Sequence, residues 1–517
     1  MGVQVIQRLH MHISRSRQSK SQGKLYMTQD LGQRTTNESR SARRKLSLAV
    51  SAMVCGALAM VAAQAQPAGA ATFINWPGYL YGPSHSSFSP ATAITPSNAA
   101  NLKRVWIWRC AAPKITGQPG AGFVASPTVY NGTVYIGCNT GIFYALHEAT
   151  GAVEWTQMLG YVTRHTCAAR GISSTASIVI DPATSKPAVY VAGGDGYMYA
   201  LDAATGKVLW KSVIGIPSPT LNDFYDWSSP AVANGLVYIG VSSQCDKPLV
   251  ANAGLKAYDL GTGALKLTYV TLPNNELGGS IWSSPAVDTN GRAFATIGND
   301  MRGAQFPGDS SSIVSLVASS LARTGGWRIP ASQQVEDNDW AASPTVFQAT
   351  IKGTPTEMAT ACNKNGFLYA FNAASITPGP VWSFQVGAGT GNGVLSCLGA
   401  AIWNGANLFE PGNATTIDGT AYNGSMRELN PSTGLPIWQT GLPGIILGSP
   451  SMDSAGVIAA STYAPGNTNG TYLLNASTGA ILDMIGIGKE FSQPVFADDF
   501  LILATQGGGI NVYTPKT

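Results

Sequence analysis

An all-β fold made of eight copies of one four-stranded unit is predicted by three features of this sequence. A phrase recurs, reading ALHEATGAVEW at residues 145–155 and ALDAATGKVLW at 200–210, with weaker copies at 257–268, 427–438 and 472–483. Each copy follows a run such as SPTVYNGTVYIGCNTGIFYAL or SPAVANGLVYIGV, in which Ser-Pro opens a strand and an Asn-Gly turn joins apolar runs. The chain of 517 residues is 44% hydrophobic and 11% charged, with 59 Gly and 30 Pro. That is too apolar for disorder and rich in the turn residues many short strands need. Four antiparallel strands per unit, repeating at about 40–57 residues, is the pattern of a β-propeller.

Opening strands fall near Val124, Ser174, Trp227, Trp282, Trp340, Cys397, Gly448 and Phe491, which makes eight blades. In each, a Val-Tyr-Ile-Gly-like strand, a Tyr-Ala-Leu-Asp-like strand, a Thr-Gly turn and an outer strand ending in Trp follow in order. The last unit, 491–513, has room for only three strands. The orphan strand LKRVWIWR at 102–109 carries the outer-strand Trp ending, so it is expected to pair there and close the ring from the N-terminal side. Trp155, Trp210, Trp382 and Trp438 are expected to fill the gaps between blades, each indole N–H meeting a carbonyl. Trp227, Trp282 and Trp340 read as one repeated position at the channel mouth. No stretch is long enough for an interdomain linker, so 66–517 reads as a single domain after a leader of 1–65.

The leader carries ten Lys/Arg against Asp30 and Glu38, so the formal net charge of +4 conceals a remainder of about −4. No basic stripe is left for nucleic acid. Arg43-Arg44-Lys45, an apolar run from Leu46 to Ala63 and the small residues Ala63-Gln64-Ala65 form an export signal. The run is also just long enough for a membrane anchor. SARRKLS resembles a twin-arginine signal, and Met27 is a plausible start. The mature chain is expected to be periplasmic or extracellular. Its six cysteines, Cys110, Cys138, Cys167, Cys245, Cys362 and Cys397, are then free to form disulfides of undeduced connectivity. No Cys-x-x-Cys-His haem motif is present, and His85, His147 and His165 lie in no hydrolase motif.

The phrase ALDAATGKVLW is similar to the tryptophan-docking motif of the quinoprotein dehydrogenases, eight-bladed propellers that hold pyrroloquinoline quinone (PQQ) and calcium at the channel mouth. Residues 76–106, with YGPSHSSFSP, ITPSNAANL and RVW, resemble the start of that family, nearest its polyvinyl alcohol dehydrogenase branch. The resemblance covers about residues 75–514, although non-enzymatic propellers such as the outer-membrane assembly lipoprotein share the docking motif. It implies that Trp282 lies flat against the quinone and that Asn299 binds calcium, an amide oxygen being a hard ligand. It implies that Arg170, in CAARG, pairs with a quinone carboxylate, and that Lys364, in CNKNG, sits over the quinone carbonyls, where a cation stabilises developing negative charge. The general base falls in VEDNDW among Glu336, Asp337 and Asp339, with Asp337 favoured for both proton transfer and calcium.

The departures are as informative. Gln244 stands where the family has a calcium-binding Glu, and a neutral ligand weakens such a site. The family's adjacent-cysteine disulfide is missing, with Cys167 alone in that neighbourhood, and a mouth Trp is replaced around Ser396-Cys397. Two functions follow as expectations. One is oxidation of a small or polymeric alcohol with PQQ and calcium, with electrons passing to a separate acceptor such as a cytochrome, docked on the face carrying Glu336, Asp337, Asp339 and Lys364. The other is a non-enzymatic exported scaffold that binds protein or polymer.

Overall fold

The computed structural model describes residues 72–516 apart from 164–166, 219–222, 246–249, 300–307, 390–396 and 464–468. The leader, His165 and Ser396 lie outside the described residues. The strands form eight sheets. Their innermost strands are Thr128–Tyr130, Ser177–Asp181, Ala231–Ala233, Ala286–Val287, Thr345–Ile351, Ile402–Trp403, Ser451–Asp453 and Val495–Ala497, which number blades 1 to 8. Leu102–Arg109 pairs antiparallel with Gly509–Pro515 and supplies the outer strand of blade 8. Phe88–Ser89 adds a fifth, parallel strand to blade 7. Among the described residues no helix is long and apolar enough to cross a membrane.

Apolar side chains cluster between adjacent blades, as where Trp155 of blade 1 packs with Ile178, Val189 and Leu201 of blade 2. The indole N–H then caps the contact. Trp155 donates to Ala203 O at 2.9 Å, Trp210 to Leu260 O at 3.0 Å, Trp382 to Pro431 O at 3.0 Å and Trp438 to Ala476 O at 2.9 Å. Trp106 of the closing strand donates to Glu148 O of blade 1 at 2.7 Å, so the seam uses the same joint. Each ring lies on the Thr-Gly turn of the next blade. At Gly206, with φ +70, a Cβ would come within 2.4 Å of Trp155. Only glycine serves both that backbone and that contact.

A second joint runs along the channel wall, where the residue preceding each Ser-Pro proline, or its counterpart, faces inward. The Ser126 amide donates to Thr175 Oγ1, Thr175 to Ser229 Oγ, Ser229 to Ser284 Oγ and Ser284 to Ser343 Oγ, at 2.8 to 2.9 Å. Ala400 donates to Ser449 Oγ at 3.0 Å and Gln493 to Ser126 Oγ at 2.9 Å. Blade 6 carries Ala400 at this position and has no hydroxyl to offer Ser343.

Below this ring a strap from the N-terminal segment bonds to seven blades, with the Leu80 amide donating to Gln493 Oε1 of blade 8. Trp76 pairs with Val129, and the carbonyls of Pro77, Pro83, Ser84, Ser86 and Ser87 accept from Ile178, Val287, Val346, Trp403 and Met452. Leu80, Tyr81, His85 and Ser87 all adopt positive φ to follow that path. Hydrogen bonds from the four backbone amides to Gln493 Oε1, Gly78 O, Gly82 O and Leu80 O hold them in this less favoured region. His85 is buried, with Nδ1 2.7 Å from Pro344 O, and burial pushes its imidazole down to about 4.

Ser229→Ala removes the acceptor for the Thr175 amide and is expected to cost about 1–3 kcal/mol in denaturant unfolding; a change below about 0.5 kcal/mol would show that the ring is incidental. His85 makes stability depend on pH. The unfolded imidazole titrates near 6.5 and the folded one near 4, so its contribution is complete above pH 6.5 and is lost as pH falls toward 4. His85→Asn is expected to flatten the stability profile between pH 4 and 6.5 relative to the parent, a difference of up to roughly 3 kcal/mol. Parallel profiles would place the acid sensitivity elsewhere.

Candidate functional site

Above the hydroxyl ring the channel opens into a cavity of about 320 Å³. Its upper tier comes from the position three before each Ser-Pro proline or its counterpart: Val124, Ser173, Trp227, Trp282, Ala341, Leu398, Leu447 and Phe491, one from each blade. Its lower tier is the hydroxyl ring, with Tyr79 of the strap, Gln493 and Gln506 completing the wall. The two indoles of blades 3 and 4 are neighbours in that tier, so the cavity has two adjoining aromatic walls.

Trp340 does not share the position of Trp227 and Trp282. One extra residue separates it from its Ser-Pro, so Ala341 faces the cavity. Trp340 is fully buried against Trp327 and Tyr369.

Four of the predicted residues form one connected group beside Trp282. The Lys364 ammonium donates to Asp337 Oδ2 and Asp339 Oδ2, both at 2.8 Å, and lies 5.3 Å from the Trp282 ring centre. Asp339 Oδ1 accepts the Asn299 amide at 2.7 Å. The turn that carries Lys364 grips the acidic segment, because the Lys364 amide and the Asn363 side chain both bond Asp339 O. Burial lowers the Lys364 pKa, but Asp339 and Asp337 together outweigh it and hold the ammonium above its usual range. Burial and the neighbouring Asp339 raise the Asp337 carboxyl, against the pull of Lys364. Asp339 and Lys364 are buried, Asp337 is half-buried and Glu336 is exposed.

Arg170 and Gln244 form a second group, around Trp227. The Arg170 guanidinium lies 5.0 Å from the Trp227 ring centre and lines the cavity. Arg170 is held by backbone pairing with Val162, and Gly171 is needed beside it because a Cβ there would lie 2.2 Å from Asn139 O. Trp227 donates to Gln244 O at 3.2 Å, and the Gln244 amide group donates to Ala168 O. Among the described residues Gln244 Oε1 is buried without a hydrogen-bond partner. Among the described residues no recorded contact joins the Gln244 side chain to Asn299 or Asp337.

Cys167 is not alone. It pairs with Cys245, beside Gln244, and so fastens the loop of Arg170 to the loop of Gln244. Cys362, two residues before Lys364, pairs with Cys397 of blade 6, and Cys110 pairs with Cys138. Trp227 lines the cavity at the mouth position it was expected to share with Trp282, and Tyr463 and Gln506, which no sequence motif marked, line it too.

The chain is 30% identical over 209 residues to the dehydrogenase subunit of the quinone alcohol dehydrogenase of Gluconobacter oxydans (strain 621H), covering 39% of this chain and 25% of that protein. It is 28% identical over 241 residues to the polyvinylalcohol dehydrogenase of a Pseudomonas species, covering 41% and 34%. The aligned part thus spans between a quarter and about a third of these relatives. The fold superposes on the quinohemoprotein alcohol dehydrogenase ADHIIG of Pseudomonas putida HK5 with TM-score 0.68 at 16% identity, over 85% of this chain and 80% of that one. A model of the PQQ glucose/ethanol/alcohol dehydrogenase β-propeller domain matches residues 76–394, well over half of the chain, and the protein belongs to that family.

Proposed function

We propose that this protein is an exported PQQ-dependent dehydrogenase of a small or polymeric alcohol, with residues 66–517 as its single mature domain. The observation that carries the reading is Lys364, a buried ammonium gripped by two carboxylates beside an indole wall of the cavity. A cavity of about 320 Å³ with two aromatic walls suits a planar tricyclic group, and Arg170 on its lining suits a carboxylate, while Lys364 stands beside Trp282 but is not among the lining residues. When bound, PQQ supplies the two-electron acceptor for the hydrogen leaving the alcohol carbon. The chain's own residues do the rest. Arg170 orients by charge, Trp282 fixes the plane, and the Lys364 ammonium stabilises negative charge that develops next to it. Both Asp339 oxygens are engaged, whereas only one Asp337 oxygen has a recorded partner. Asp337 is therefore the carboxylate freer to take the alcohol proton, and its raised pKa brings it nearer a working base.

For calcium the donors are of the right kind. Asn299, Gln244 and Asp337 offer hard oxygens, and Gln244 Oε1 is one of several buried oxygens that have no hydrogen-bond partner among the described residues. Lys364 competes for the same carboxylates, so the metal is expected to bind weakly. The scaffold reading draws on that same competition and on the neutral Gln244.

Reconstitution separates the two. Purified protein given PQQ and calcium is expected to show quenched tryptophan fluorescence and alcohol-dependent dye reduction; no binding at large excess of both would favour the scaffold. Trp282→Ala and Arg170→Ala are each expected to weaken PQQ binding at least tenfold. Asp337→Asn is expected to slow turnover about 10²- to 10⁴-fold with binding nearly unchanged. Gln244→Glu is expected to tighten calcium, measured by calorimetry, and equal affinity in both forms would remove Gln244 from the metal site.

A further inference from the structure

The face around Glu336, Asp337, Asp339 and Lys364 is a weak charged docking surface, because Lys364 offsets one of the two carboxylates it grips and only Glu336 among the four is exposed. An exposed basic patch near the cavity lies elsewhere. A groove of about 580 Å³ runs along the edge of blade 8 beside blade 7, lined by Arg104, Arg109 and Lys489 and by no acidic residue. All three cations are exposed, and no ion pair is recorded for any of them among the described residues. Glu490, next to Lys489 in the chain, faces inward to Ser461 and Thr471. Its burial pushes its carboxyl up to about 8, so it offers little negative charge at neutral pH.

The groove adjoins the central cavity. Gln506 lines both, and Lys489 lies 5.0 Å from the ring centre of Tyr463, which also lines the cavity. We infer that this groove is where an acidic, one-electron carrier protein docks to collect electrons from the cavity; the inference rests on the function proposed above. Oxidising one alcohol to its carbonyl releases two electrons and two protons. The carrier takes one electron at each of two visits, and the protons leave to water. With no haem attachment motif in this chain, the electrons must leave it. Three exposed cations along an open groove select a partner with a complementary acidic patch and speed its encounter, an effect that salt screens. The groove is also larger than a single small anion needs.

The test compares the parent with the triple variant Arg104→Glu, Arg109→Glu, Lys489→Glu, using plastocyanin as the acidic one-electron probe. Thermal unfolding first confirms that the variant folds. Binding of cofactor-free protein to plastocyanin at low ionic strength is expected to weaken at least tenfold in the variant and to lose its salt dependence. In PQQ-loaded protein, plastocyanin reduction is expected to slow at least tenfold, while reduction of a small neutral benzoquinone stays within twofold. The binding arm needs no turnover, so a protein inactive toward the benzoquinone would retire the dehydrogenase reading without deciding the groove. Unchanged plastocyanin binding in the variant would overturn the inference. So would loss of binding to phosphatidylglycerol vesicles with plastocyanin binding intact, which would reassign the groove to a membrane surface.

Discussion

At six of the eight junctions a blade meets the next at the channel wall through a backbone amide and a neighbour's hydroxyl, and the rest of the site hangs from that ring. Because Thr175, Ser229, Ser284 and Ser343 accept the amides of the preceding blades, their strands enter the channel at one height. Two residues above each link lies a side chain of the upper tier, and in six blades the strap bonds three residues below it. Trp227 and Trp282 are neighbours at the mouth because their strands are in register, not because of any contact between the two. The indole joints outside the ring set the spacing between blades, and the hydroxyl ring sets their height. These hydrogen bonds, of about 1 kcal/mol each, run in two arcs, from blade 8 round to blade 5 and from blade 6 to blade 7.

The electrostatics of the mouth follow from burial. A lysine taken out of water requires partners, and Asp337 and Asp339 supply them from the segment just before blade 5. That pairing keeps charge inside the wall of an otherwise apolar tier. It also means that a cation entering the site competes with one the protein already holds. The basic groove of blade 8 is the opposite case, since Arg104, Arg109 and Lys489 stay in water and keep their long-range field.

Much of this was legible in the chain. The recurring Thr-Gly-x-x-x-Trp phrase predicted the blades, the indole-to-carbonyl joints and closure by residues 102–109, because each depends on local spacing that sequence displays directly. Trp340 was misplaced for a local reason as well: register runs from the proline, and one inserted alanine turns the indole into the core. The pairing of Cys167 with Cys245 was not legible, since it spans 78 residues and depends on two loops meeting above the ring. The grip of Lys364 on both carboxylates likewise arises where a turn of blade 5 meets the loop before that blade. The blade 8 groove joins residues near 104 to residues near 489 and 506, which no linear motif could reveal.

The central claim is that the cavity above the hydroxyl ring is built for a planar quinone. A crystal structure of the protein grown with PQQ and calcium tests it most directly. The account predicts flat density against Trp282, with a carboxylate at Arg170 and Lys364 at the ring's edge. An empty cavity under saturating PQQ, or quinone density outside the ring of eight blades, would contradict it.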